Sequence, residues 1–168
     1  MEKDDGLEHP EHHIKIIIIA TKMGVPLVSL KVDEQWNEHL VAPFLSAVHG
    51  FSDEKLGALD ETLVKTGDLD MYVRKKHNLM LIAIMDKEMK KIEIGKQADT
   101  ALELFYKFYQ DEIDSMDYNN PEMSQFEKFE VLLKKQLEEY YEKIESHNDK
   151  GFFSKFKDFF RKDKPEIR

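Results

Sequence analysis

The stretch that decides the fold is residues 14–30, which read IKIIIIATKMGVPLVSL. Its first half is a run of β-branched residues, and such a run bounded by a turn is typical of a nearly buried strand. The segment around Gly24 favours a tight turn, and a second apolar run follows at once. The sequence therefore predicts that the domain opens with an antiparallel β-hairpin.

The rest of the chain predicts a helix, three strands and two helices, in that order. Apolar residues recur at helical spacing between 35 and 51, with Asp33 as the candidate helix cap, although Pro43 would kink this helix or divide it. Two mixed strands follow near residues 61 and 71, then a continuous apolar strand at 79–85, and then two long amphipathic helices. Because continuous apolar runs are typical of strands covered on both faces, we expect the first and last strands in the centre of the sheet. The mixed strands are expected toward an edge.

Composition limits the classes of function. The 168 residues are 41% hydrophobic and 35% charged, which is typical of one globular domain with a short appended segment. Cysteine is absent, so disulfides and thiolate chemistry are excluded. The net charge of −9 argues against duplex nucleic acid as the main partner, and no glycine-rich phosphate loop is present. No run approaches the length of a membrane span and the acidic start lacks a signal-peptide pattern, so we expect a cytoplasmic protein.

We expect three segments: a flexible leader at 1–12, one domain at 13–147 and a basic amphipathic tail at 148–168. Residues 151–164 hold five basic and two acidic side chains, and five phenylalanines fall on one side of a helix. Such a tail can lie on an anionic membrane, fill a groove on a partner or pack against its own domain. The tail residues expected to make the contact are Phe152, Phe153, Lys155, Phe156, Lys157, Phe159, Phe160, Arg161 and Lys162.

The order of elements resembles the longin family, within the longin–roadblock superfamily. The resemblance includes the Lys-Met-Gly-Val-Pro-Leu segment at 22–27 and the FLSAVHGFS segment at 44–52, and it covers about residues 13–147. It implies an α+β, profilin-like fold in which a five-stranded antiparallel sheet lies between one helix and two helices. Roadblock domains are the nearest relative, but they place a helix before the first hairpin, where this sequence has no helical pattern. Longin domains of SNARE proteins continue into a heptad helix and a membrane anchor, and this sequence shows neither pattern. The resemblance therefore favours a stand-alone, archaeal-type longin protein.

The resemblance implies a non-enzymatic adaptor in vesicle-mediated transport or small-GTPase regulation. It would bind another longin or roadblock subunit, a small GTPase or both, and it could form a homodimer. Separately, the basic tail could hold the protein at the periphery of a membrane. Two alternatives stay open: a SNARE-like or signal-recognition-receptor-like assembly module, and a small-ligand-binding enzyme with a pocket between sheet and helices. The sequence predicts no catalytic residue, cofactor, metal site or nucleic-acid partner.

Partner binding is expected on the first helix and the edge strand. An open sheet edge offers unpaired N–H and C=O groups, and the helix carries more apolar residues than one narrow stripe needs. The alternative is that all these apolar residues serve the core. The residues in question are Trp36, Val41, Phe44, Leu45, Val48, Phe51, Leu63 and Val64.

Overall fold

The structure is a computed structural model that describes residues 13–56, 60–117 and 122–146. Its strands are β1 (Ile14–Thr21), β2 (Pro26–Lys31), β3 (Glu61–Lys65), β4 (Leu69–Lys76) and β5 (Leu79–Asp86). Its helices are α1 (Glu38–Leu56), α2 (Ile94–Asp114) and α3 (Lys128–Glu145), with a short 3-10 helix at Met123–Phe126. The predicted leader at 1–12 and the tail from 148 onward lie outside the described residues.

The five strands form one antiparallel sheet in the order β2-β1-β5-β4-β3. The two continuous apolar strands, β1 and β5, are central and pair with each other, as predicted. The mixed strand β3 is an edge and pairs only with β4 among the described strands. The opening hairpin of β1 and β2 is also confirmed.

Each face of the sheet carries its own core. Helices α2 and α3 cover one face, where Phe105, Phe126 and Phe129 pack edge-on or tilted with ring centroids 5.1–5.3 Å apart. Helix α1 covers the other face, where Ala42 and Leu45 meet the sheet. Along β5 the side chains alternate between the two cores, because successive strand residues point to opposite faces.

Two turns position the neighbouring elements. The β4–β5 turn consists of His77 and Asn78, with φ of 56° and 61°, the pair of positive φ angles that a two-residue type I′ hairpin requires. The β1–β2 turn contains Gly24, whose φ is 89°. A Cβ atom on Gly24 would lie 2.8 Å from Cα of Pro43, so this turn approaches α1 more closely than any side chain would permit.

Helix α1 begins later than the apolar pattern predicts. The side chain of Asn37 accepts a hydrogen bond from the backbone N–H of His39 (2.9 Å), so Asn37 caps the helix. Asp33, which the sequence suggested as the cap, instead accepts hydrogen bonds from Gln35. Trp36 therefore precedes α1 rather than lying on it. The helix runs through Pro43 as one element.

Candidate protein-binding site

Helix α1 has a buried side and an apolar outward side. Ala42 and Leu45 are completely buried against the sheet. Leu40 and Phe44 lie one helical turn apart and are 72% and 58% exposed. We call these two residues the α1 outer pair. Two large apolar side chains exposed side by side make this part of α1 a candidate surface for contact with another macromolecule.

The structure separates the partner-binding residues that the sequence predicts in and just before α1. Phe44 is exposed, whereas Trp36 and Val41 are half-buried and pack against the core beneath α1. Leu45 was expected at a partner surface, but it is fully buried and packs in the core. The backbone at 48 and 51 belongs to α1, while the side chains of Val48 and Phe51 lie outside the described part of the chain.

Leu40 is an outer residue that the predicted set omitted. It lies four residues before Phe44, and residues four apart share one face of a helix. That spacing was available from the sequence. Once Phe44 is known to face outward, Leu40 is expected to face outward as well.

The edge strand β3 presents a second predicted surface. Leu63 lies opposite Tyr72 on the face covered by α2 and α3, and it is 40% exposed. Val64 lies opposite Met71 on the α1 face and is half-buried. Among the described residues β3 pairs with β4 alone, so its other side offers backbone groups that an added strand could pair with.

A polar network fastens β3 to the neighbouring elements. Glu61 accepts hydrogen bonds from the Tyr72 hydroxyl (2.6 Å) and from Nη1 of Arg74 (2.9 Å). Arg74 also donates two hydrogen bonds to Asp99 on α2, and this interaction raises the pKa of Arg74. A Cβ atom on Gly95 would lie 3.0 Å from the Glu61 carboxylate, so the first turn of α2 closes tightly over the network. The edge strand is thus held in a fixed position.

A cavity of about 50 Å³ lies between the sheet and helices α2 and α3. Its lining is largely apolar and contains no carboxylate, imidazole or ammonium group. The phenols in the lining belong to Tyr72 and Tyr140. Burial raises the pKa of both, helped at Tyr72 by the hydrogen bond to Glu61 and at Tyr140 by the charge of Glu93. Both phenols therefore stay protonated near neutral pH, and the cavity offers little for acid–base chemistry.

Within the described ranges, no group of three or more His, Cys, Asp and Glu side chains could hold a metal ion. Nor does any helix there combine the length and apolar character needed to cross a bilayer. The predicted tail residues, Phe152 to Lys162, lie outside the described residues.

Comparison with known proteins identifies the fold. No protein-family model matches the chain, and no curated protein matches it. Among solved structures, the chain is similar to a roadblock/LC7 domain from Streptomyces avermitilis, with a TM-score of 0.51 and 10% identity over 58% of this chain and 87% of that one.

Two further structures are less similar. The gliding protein MglB from Thermus thermophilus has a TM-score of 0.44 and 14% identity, over 52% of this chain and 74% of its own. MglB of Myxococcus xanthus has a TM-score of 0.48 and 15% identity, over 56% of this chain and 85% of its own. At such identities the likeness concerns the fold alone. The predicted fold, a five-stranded antiparallel sheet with helices on both faces, is confirmed.

Proposed function

We propose that this chain is a non-enzymatic binding module that acts in the cytoplasm by contacting other proteins through α1 and the β3 edge. Its partner would be another longin or roadblock chain, a small GTPase or both, as the resemblance of the sequence to longin domains suggests. The observation that carries the proposal is the α1 outer pair, Leu40 and Phe44, two large apolar side chains exposed together on one side of the helix.

The energetics favour this surface as an interface. Leu40 and Phe44 still expose most of their apolar area, and burying a large apolar side chain contributes about 1.5–3 kcal/mol. A few well-packed residues near the centre of an interface carry most of its binding energy, and two large apolar side chains one turn apart could fill such a position. The β3 edge adds directional hydrogen bonds if a partner supplies a strand.

Regulation of a small GTPase is the finer part of the proposal. It is supported by the longin resemblance in sequence and by the fold shared with a roadblock/LC7 domain. The test is nucleotide exchange and hydrolysis on small GTPases from the same cell, with and without this chain. A change in either rate that needs Leu40 and Phe44 supports regulation, and unchanged rates with every GTPase contradict it.

The binding surface itself is tested by a matched pair of variants. Leu40 on α1 and Val131 on α3 are 72% and 71% exposed, so Leu40→Glu and Val131→Glu make similar changes on opposite faces of the sheet. We expect Leu40→Glu to weaken self-association or partner capture at least tenfold and Val131→Glu to leave it nearly unchanged. Light scattering gives the mass of the free chain, and equal effects of the two variants would exclude α1 as the interface.

The enzyme alternative finds little support in the cavity between sheet and helices. Its polar lining consists of the phenols of Tyr72 and Tyr140 and the amides of Gln97 and Gln136. The Gln136 amide already donates to the backbone oxygen of Gln97 (2.8 Å). A carboxylate or imidazole in this lining would have favoured an acid–base enzyme.

A further inference from the structure

We propose that the cavity between the sheet and helices α2 and α3 binds a short, uncharged carbonyl compound whose oxygen accepts a hydrogen bond from the hydroxyl of Tyr140. The cavity lies on the opposite face of the sheet from α1, so this inference does not depend on the protein-binding function proposed above. It rests on a phenol without a partner, on the absence of charge in the lining and on the volume of the cavity.

Two neighbouring tyrosines of α3 differ in their hydrogen bonding. Tyr140 and Tyr141 are each 4% exposed. The Tyr141 hydroxyl accepts a hydrogen bond from the backbone N–H of Ile14 (2.9 Å). The Tyr140 hydroxyl is buried without a hydrogen-bond partner in the described part of the chain, and Tyr140 lines the cavity. Because a buried hydroxyl left unpaired is unfavourable, a molecule in the cavity that pairs with Tyr140 would gain affinity from doing so.

Other polar side chains of the lining are engaged within the protein. The Tyr72 hydroxyl donates to Glu61 (2.6 Å), and the Gln136 amide donates to the backbone oxygen and the side-chain oxygen of Gln97 (2.8 Å and 3.2 Å). An ordered water needs about two to four polar partners. A water beside Tyr140 would find few partners besides the hydroxyl itself, so a molecule with an apolar body suits this cavity better than water does.

The lining also determines the chemical class of the ligand. It contains no charged side chain, and an ion moved into it would lose its hydration without gaining a counter-charge. The ligand is therefore uncharged. Burial raises the pKa of Tyr140, so the hydroxyl keeps its hydrogen near neutral pH and can donate it. A carbonyl oxygen accepts this hydrogen and brings no donor of its own that would need a second acceptor.

The volume of the cavity limits the size of the ligand. The cavity measures about 50 Å³ and is partly open to solvent. An engineered cavity of about 150 Å³ in another protein binds one benzene molecule, so the present cavity encloses about three heavy atoms. A slightly larger molecule can extend through the open side. Acetone, in which two methyl groups flank one carbonyl, matches this size and chemistry and serves as the test compound.

The first test is a titration of the full chain with acetone, followed by NMR through the methyl signals of Ala83 and Ala98, which line the cavity. We expect these signals to shift to saturation, and the methyl signal of Ala42, on the other face of the sheet, to stay in place. Tyr140→Phe keeps the ring and removes the hydroxyl, so it should bind acetone about tenfold more weakly. The matched control, Tyr141→Phe, should bind acetone within about twofold of the wild type.

Two further measurements separate ligand binding from packing. Ala83→Val adds two methyl groups to the lining of the cavity and should weaken acetone binding by more than about tenfold. Without acetone, Tyr140→Phe should leave the urea midpoint unchanged or raise it, because its hydroxyl has no partner to lose. Tyr141→Phe should lower the midpoint, because it removes the acceptor of the Ile14 N–H.

Three results would overturn the proposal. The first is a titration in which acetone produces no saturable shift at Ala83 and Ala98. The second is equal acetone affinity of Tyr140→Phe and Tyr141→Phe. The third is an equal loss of stability in these two variants, which would show that the Tyr140 hydroxyl is already paired. Tighter binding of propan-2-ol than of acetone would overturn the assignment to a carbonyl compound.

Discussion

Arg74 on β4 and Asp99 on α2 form a two-point ion pair, with Nε 2.9 Å from Oδ1 and Nη2 2.9 Å from Oδ2. Arg74 donates a third hydrogen bond to Glu61, the first residue of β3. One guanidinium therefore joins the helix to the edge strand on which the proposed strand pairing depends. Such planar, two-point pairing is specific to arginine.

Replacement of Asp99 by Ala should destabilise the domain by about 1 kcal/mol, because a half-buried guanidinium loses two charged hydrogen bonds. Urea unfolding measures the change. Glu138→Ala, at an exposed position on α3, is the control and should shift stability by less than about 0.5 kcal/mol. Equal effects would show that the Arg74–Asp99 pair contributes nothing.

Gly24→Ala should destabilise the protein by about 1–3 kcal/mol, because Gly24 has φ of 89° and a new Cβ would meet Pro43. Thermal unfolding provides the measurement. At Gly67 the space is open, with nothing within 4 Å of the added Cβ, so Gly67→Ala should be close to neutral. If both glycines tolerate alanine equally well, the β1–β2 turn does not approach α1 as closely as the structure shows.

Asp70 should make stability depend on acid pH. The hydrogen bond from Lys91 holds the pKa of Asp70 below its ordinary value of 3.8. Because the pKa is lower in the folded protein, the ionised carboxylate stabilises the fold above the ordinary pKa, and this contribution disappears as pH falls through the lowered pKa.

Accordingly, the stability difference between the wild type and Asp70→Asn should be constant at neutral pH and shrink below about pH 4. Urea midpoints across pH give this difference. Lys91→Gln, which removes the lysine that hydrogen-bonds to Asp70, should flatten this trend. A difference for Asp70→Asn that stays constant into acid would contradict the lysine pairing.

The cavity beside α2 and α3 should accept one larger side chain. Ala83 on β5 lines it, and Ala83→Val adds two methyl groups of strand-favouring shape. We expect a gain of about 0.5–2 kcal/mol in the free energy of unfolding. Ala20→Val, in the opposite core away from this cavity, should destabilise by about 1–3 kcal/mol through overpacking. Destabilisation by both substitutions would mean that the cavity has no room for the two added methyl groups.

The sequence was sufficient to predict which strands are central and which lie at an edge, because the apolar pattern that indicates this lies within each strand. The unbroken apolar runs of β1 and β5 predicted two central strands, and the mixed pattern of β3 predicted an edge. The start of α1 was harder to predict, because whether Asp33 or Asn37 caps the helix depends on the direction in which the chain leaves β2.

The binding site was predicted less well for a physical reason. Helix α1 has apolar residues on several sides, and the periodic pattern alone cannot tell which side meets the sheet. Only the packed structure separates Leu45 in the core from Leu40 and Phe44 outside. The Arg74–Asp99 pair and the pairing of Lys91 with Asp70 join residues that are far apart in the sequence, so no spacing rule reveals them.

The central claim is that the outward side of α1 contacts another protein. The most direct measurement places a photoreactive phenylalanine analogue at position 44 of the full chain and identifies what it crosslinks in extract from the native cell. The control carries the analogue at position 138, an exposed site on α3. The account predicts crosslinks from position 44 alone, to a second copy, a longin or roadblock chain or a small GTPase. No crosslink at position 44, or the same products from both positions, would contradict it.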